Sequence, residues 1–164
     1  GIVDRVLVLC PSLTIEDGLM EKFRKLSSDP VLLKSIPENS KIKNPSIKTA
    51  DVTIKEGDIC IENIHAVYER TGSSIKDSFG GNGARTLVLN DEAHHIFNPV
   101  DGRDNESKNI KKWKEFLLSS EFNFKYSIGF SSIILSFIKL IVFITPSSIF
   151  KYSSLVISLF FACS

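Results

Sequence analysis

Arg85–Asn90 (RTLVLN) is a short apolar run that stops directly on two adjacent carboxylates, Asp91-Glu92, with Ala93-His94-His95 behind them. A run this short and this apolar reads as a strand buried on both faces, the habit of parallel sheets. Arg5–Cys10 (RVLVLC), stopped by Pro11, is a second such run. The segment between them carries helical patterning, and strands alternating with helices argue for an α/β sheet of the doubly wound type. Open sheets of this kind hold their ligands at the C-terminal edge of the strands, so the acid pair falls where a ligand would sit.

The remaining elements follow from spacing. Thr14 opens a helix, and Thr14 with Asp17 approximates a capping box. Ile15, Leu19, Phe23 and Leu26 recur along one face of it, and Asp29-Pro30 stops it. Residues 34–50 read as a polar loop. Asp51–Ile54 and Asp58–Glu62 read as short strands around Gly57, and Asn63 as the cap of a short helix, Ile64–Glu69. Residues 70–83, rich in Gly and Ser, read as a mobile loop, and 98–109 as a polar one. Ile110, Trp113 and Leu117, with Phe116, mark the apolar face of a helix near 107–119, and a last strand begins near Phe122–Ile128.

Composition excludes several classes of function. The chain has 164 residues, 20 basic and 19 acidic, so it is not a binder working by bulk positive charge. A hydrophobic content of 43% can fill a core and excludes an acidic disordered tail. The three cysteines, Cys10, Cys60 and Cys163, form no CxxC pair. A disulfide scaffold and a cysteine zinc site are therefore not expected, and a reducing, cytoplasmic setting fits. Two histidines adjacent in sequence lack the one-turn spacing of HExxH, so a zinc site at Asp91–His95 is not expected either.

The acid pair carries the chemistry. In nucleotide hydrolases one carboxylate at a strand's end holds magnesium and the second orients or deprotonates the attacking water. A hard divalent cation prefers such oxygen ligands. The bland alternative is a solvated acidic turn after a strand.

Asp91-Glu92-Ala93-His94 resembles the acid box of DEAH-type superfamily 2 helicases. VLVLCPSLTIEDGL (Val6–Leu19) resembles the family's next upstream motif, and DICIENIHAVYERTGSSIKDSF (Asp58–Phe79) the segment between the two. The ordered set, with His95 beside the box, is similar to the Res subunit of type III restriction enzymes and covers roughly residues 3–131. The resemblance implies a partial RecA-like first motor domain over 1–130. It implies Asp91 for magnesium, Glu92 as the base for ATP hydrolysis, and His94 coupling the nucleotide site to motifs across the cleft. Pro11, Ser12 and Thr14 would lie near the nucleic-acid backbone, with Asn63 and His65 on the same track. For Ser12 and Thr14 the alternative is turn and capping chemistry; for His65 and His95 it is a structural or surface role. The cofactors implied are ATP and magnesium. The partners are duplex DNA and a methylating, sequence-reading subunit.

The departures matter as much. No GxxxxGK[ST] phosphate loop occurs in the sequence, and FGGNG (Phe79–Gly83) lacks both the lysine and the strand-to-helix setting. Where the family has Ser/Thr-Gly-Thr, this chain reads Ile128-Gly129-Phe130-Ser131. The expectation is a piece of the motor domain cut at both ends, inactive by itself.

All 19 acidic residues precede position 122. Beyond Phe130 the chain is dominated by Ile, Phe, Leu and Ser, with Lys139 and Lys151 inside apolar stretches split by Pro146. A spanning helix needs about 20 mostly apolar residues, and a central lysine costs roughly 3 kcal/mol on insertion scales. The preferred expectation is that 131–164 is an out-of-frame, non-native tail. The competing one is a membrane anchor or hairpin through 130–163. Two other classes thus stand beside the helicase fragment: a small membrane-anchored protein, and a non-catalytic partner-binding product.

Overall fold

Arg5–Cys10 forms strand β1, and all six of its residues are buried. Its neighbours explain why. β3 (Asp58–Asn63) pairs parallel along one edge, Val6 opposite Ile59 through Cys10 opposite Asn63. β4 (Thr86–Asn90) pairs parallel along the other, Arg5 opposite Thr86 through Leu9 opposite Asn90. β2 (Ser46–Lys48) lies outside β3 and β5 (Tyr126–Gly129) outside β4, both parallel. The five strands run in the order β2-β3-β1-β4-β5. The sheet is the α/β, RecA-like arrangement expected. The computed structural model describes residues 2–69, 73–93 and 105–130, with 132–133, 137–138, 140–144 and 155–157 beyond.

Alternation along β1 sends its side chains into two cores. Val6 and Val8 join Ile59, Ile61 and Met20 under helix α1 (Leu13–Ser27), with Leu19 and Phe23 packed beside them. Leu7 and Leu9 join Cys60 and Val88 on the opposite face. That face is covered by α3 (Ile64–Glu69), α4 (Ile75–Phe79) and α5 (Asn105–Leu118), which supply Ile64, Ile75, Phe79, Trp113 and Phe116. Phe122 and Phe124 complete it, their rings stacked at 5.4 Å.

Several local expectations are corrected. α1 starts at Leu13, and its cap is Ser12, not Thr14: Ser12 is extended and its Oγ accepts from Ile15 N at 3.4 Å. The buried residues of the helix are Glu16 and Met20, while Leu26 is exposed. Asp29 does more than end a helix. Its Oδ1 accepts from Val31 N and Leu32 N at 2.8 and 2.9 Å, capping α2 (Pro30–Ser35) with Pro30 in the first turn. Asp51–Ile54 is not a strand: Ile54 N donates to Ser78 Oγ and Ser74 N to Ala50 O, so the segment is bound to α4 instead of to a ladder. The polar loop of 34–50 contains β2, and the Gly/Ser-rich stretch contains α4, because Ile75 and Phe79 one helical turn apart are both fully buried. Gly83 begins a 3₁₀ turn to Arg85, and a Cβ there would stand 2.0 Å from Phe122 O. Only glycine permits that approach.

Beyond residue 130, β6 (Ser132–Ile133) pairs with β7 (Phe137–Ile138). β8 (Leu140–Ile144) adds to β5 antiparallel, and β9 (Leu155–Ile157) to β8. Among the described residues no helix is long and apolar enough to cross a membrane.

The N-terminal edge of the sheet is tied by ions. Asp4, 1% exposed, accepts from Arg5 Nε at 3.1 Å and from Arg85 Nε at 2.5 Å. Arg5 Nη1 donates onward to Ser78 O at 2.9 Å, and Gly57 N to Asp4 O at 2.7 Å. Burial alone would raise the Asp4 carboxyl. The Arg85 hydrogen bond and the two guanidinium charges outweigh it and hold the group below the usual carboxylate range. A lowered folded value means that this contribution is present above the unfolded value and lost as pH falls through the folded one. Asp4→Asn is expected to cost about 3 kcal/mol or more at pH 7, since it leaves Arg5 facing a neutral partner in a buried site. Urea midpoints at pH 7 and pH 3 check this, and the difference between wild type and variant should shrink at the lower pH.

Candidate functional site

Three parallel strands end side by side, and each delivers one of the expected segments. β1 ends at Cys10 and leads into Pro11-Ser12. β3 ends at Asn63 and turns into α3, whose second residue is His65. β4 ends at Asn90 and leads into Asp91-Glu92. Leu9 stands opposite both Glu62 and Asn90, so the register places these exits level with one another. Asp91 N donates to Leu9 O at 2.8 Å, which fastens the acid pair to the end of β1. Residues separated by about 80 positions thereby share one sheet edge.

Asp91 and Glu92 are both half-buried. Burial pushes the Asp91 carboxyl above its ordinary range. A hydrogen bond from the Glu92 backbone works against it, the Glu92 charge adds to it, and the Lys22 charge offsets it in part. Glu92 has φ 51, in the left-handed region that costs a residue bearing a side chain. A cation would relieve the crowding of two adjacent carboxylates, and two oxygen donors in a half-buried turn suit a hard divalent ion. His94 and His95 lie outside the described residues.

Pro11 and Ser12 are partly exposed, Thr14 is exposed and His65 is half-buried. Asn63 differs, being 5% exposed. Its backbone N and Nδ2 both donate to Glu16 Oε2, at 3.0 and 2.8 Å. The side chain expected to face a ligand thus binds α1 to the end of β3.

Four groups at this edge were not anticipated from the sequence. Glu16 is the first. Glu62, fully buried, accepts from Ala50 N at 2.9 Å through Oε2. Asn90, 2% exposed, accepts at Oδ1 from Trp113 Nε1 at 3.1 Å and donates from Nδ2 to Ser127 Oγ at 2.8 Å. The Trp113 indole N–H is the fourth, in a residue read only as part of an apolar face. The available signal was a polar residue inside or ending an apolar run, as in DICIEN and LVLN, since a buried polar group needs a partner.

Cys10 lies among these acids. Burial, then the charges of Glu16, Asp91 and Glu62, push its thiol up to about 12, and its Sγ lies 3.6 Å from both Ser12 O and Glu62 O. Cys60 is pushed up as well, by burial and by Glu62.

A parallel α/β sheet with adjacent carboxylates after β4, level with the exits of β1 and β3, is the arrangement of a partial RecA-like domain. The family described as type III restriction enzyme, res subunit, matches residues 1–134, and the chain belongs to it. Comparison with curated proteins gives no match, and comparison with solved structures gives none.

Both raised thiols remain protonated at pH 8, so Cys10 and Cys60 should resist iodoacetamide in the folded chain and react once urea exposes them. Peptide mass mapping of the alkylated sites checks this. Labelling of Cys10 in the native state would contradict its burial.

Proposed function

We propose that this domain is part of the ATP-driven motor of a type III restriction enzyme, with Asp91 and Glu92 as its hydrolytic pair. The observation that carries the reading is the acid pair at the end of β4, level with the exits of β1 and β3, in a chain of the res-subunit family. Asp91 would hold magnesium, usually through water, and Glu92 would take the proton of the attacking water. Magnesium, when bound, neutralises charge on the transferring phosphoryl group. His94 would couple this site to motifs across the cleft.

Ser12, Thr14 and Pro11 would run beside a nucleic-acid backbone, with His65 on the same track. Ser12 already caps α1, so a backbone phosphate would meet a helix start whose donors are partly used. Asn63 would act through Glu16, holding that helix start against the end of β3. Duplex DNA and a methylating subunit are the partners that this reading requires. Residues 1–130 would form the motor part, and 131–164 an out-of-frame extension.

In a protein that carries this segment together with a phosphate loop, Glu92→Gln should lower magnesium-dependent ATP turnover by about 100-fold or more, the range of a general base. ATP binding should be retained. Steady-state phosphate release with duplex DNA present measures this, and unchanged turnover would remove Glu92 from the mechanism.

The 164-residue chain itself contains no GxxxxGK[ST] loop to cradle phosphates. With magnesium and ATP it should release phosphate no faster than buffer, with or without DNA. Magnesium-dependent turnover that disappears in Glu92→Gln would show that the loop is dispensable.

A further inference from the structure

We propose that Asn90 is a positioning residue for the Asp91–Glu92 turn. Its side chain, held between the Trp113 indole of α5 and Ser127 of β5, sets the strand end from which both carboxylates emerge and keeps Glu92 left-handed. The inference deepens the reading above and rests on it for its functional meaning.

A buried carboxamide at the last position of a strand is costly unless its donors and acceptor are used. Here they are. Oδ1 accepts from Trp113 Nε1 at 3.1 Å, and Nδ2 donates to Ser127 Oγ at 2.8 Å and towards Ile128 O at 3.4 Å. The partners come from two elements, one covering the sheet and one inside it.

The main chain around Asn90 is pinned in the same direction. Phe130 N donates to Asn90 O at 2.8 Å, and Ala93 N donates to Phe130 O at 2.7 Å. Asp91 N is meanwhile bound to Leu9 O at 2.8 Å. The turn is therefore tied to β1 on one side and to the chain leaving β5 on the other, with Glu92 between the ties at φ 51. A strained residue persists only where its surroundings over-determine it. The Asn90 side chain supplies that excess: it holds the ends of β4 and β5 in the register that lets both Phe130 bonds form. Leucine would fill the same space and leave the indole N–H without its acceptor.

The test is nuclear magnetic resonance on the labelled 164-residue chain. The cross-peak between a residue's own amide and α protons is strong when φ is positive and weak when it is not. Wild type should show it at Glu92. Trp113→Phe keeps a six-membered ring in the core and removes the N–H donor together with the rest of the five-membered ring, and it should lose the strong cross-peak, as should Asn90→Leu. A purely stabilising role would lower the melting temperature of both variants and leave the Glu92 cross-peak at wild-type strength, and that result would overturn the proposal. So would its absence from wild type. Should Asn90→Leu fail to fold, Trp113→Phe decides alone. None of these readings depends on hydrolysis. Failure of the hydrolytic reading shows separately, as unchanged turnover in Glu92→Gln, while the Glu92 cross-peak still reports the turn.

Discussion

Everything at the candidate site depends on β1 being paired in parallel along both of its edges. A central strand with both ladders occupied and both faces covered must be apolar throughout, and RVLVLC is, apart from the arginine that begins it. Parallel pairing has a second consequence. It brings the C-terminal ends of β3, β1 and β4 to the same edge, so Asn63, Pro11 and Asp91 become neighbours although the chain separates them widely. In an antiparallel arrangement these exits would alternate between the two ends of the sheet, and no shared site could form.

The two cores divide the work of holding that sheet. Helix α1 covers one face with Met20, Leu19 and Phe23, and the larger aromatic cluster around Trp113, Phe116, Phe122 and Phe124 covers the other. The second core reaches the site directly, because Trp113 both packs within it and donates to Asn90. Apolar burial and polar positioning thus meet in one side chain.

Long apolar runs made β1, β3 and β4 legible, and the 3.6-residue spacing of Ile110, Trp113 and Leu117 made α5 legible. β2 has three residues and no pattern of its own; it exists because β3 offers an edge. α4 is hidden by its Gly- and Ser-rich flanks, although Ile75 and Phe79 carry the spacing that betrays it. The start of α1 was displaced by two residues because Thr14 with Asp17 looks like a better box than Ser12 with Ile15. Tertiary contact decides otherwise: starting at Leu13 turns Glu16 inward to Asn63. At the site, the acid pair was legible and its support was not. Glu16, Glu62 and Asn90 act through partners remote in sequence, and a single sequence carries no sign of which polar residues will find one another.

The opposite edges of the sheet treat charge in opposite ways. At the N-terminal edge, Asp4 lies between two guanidinium groups and its carboxyl is pulled down, which stabilises the fold. At the C-terminal edge, Asp91 is pushed up by burial and by Glu92, the Cys10 thiol is pushed up among three acids, and Glu92 occupies a left-handed conformation. The raised Asp91 carboxyl and the left-handed Glu92 cost the folded chain stability, whereas the Cys10 thiol stays protonated at neutral pH and does not. A sheet selected for stability alone would have no reason to gather them at one end while the other end is fully compensated. A half-buried acid pair with a left-handed residue, supported from behind by the hydrogen-bonded network at Asn90, is what the hydrolytic role proposed for Asp91 and Glu92 would require of this edge.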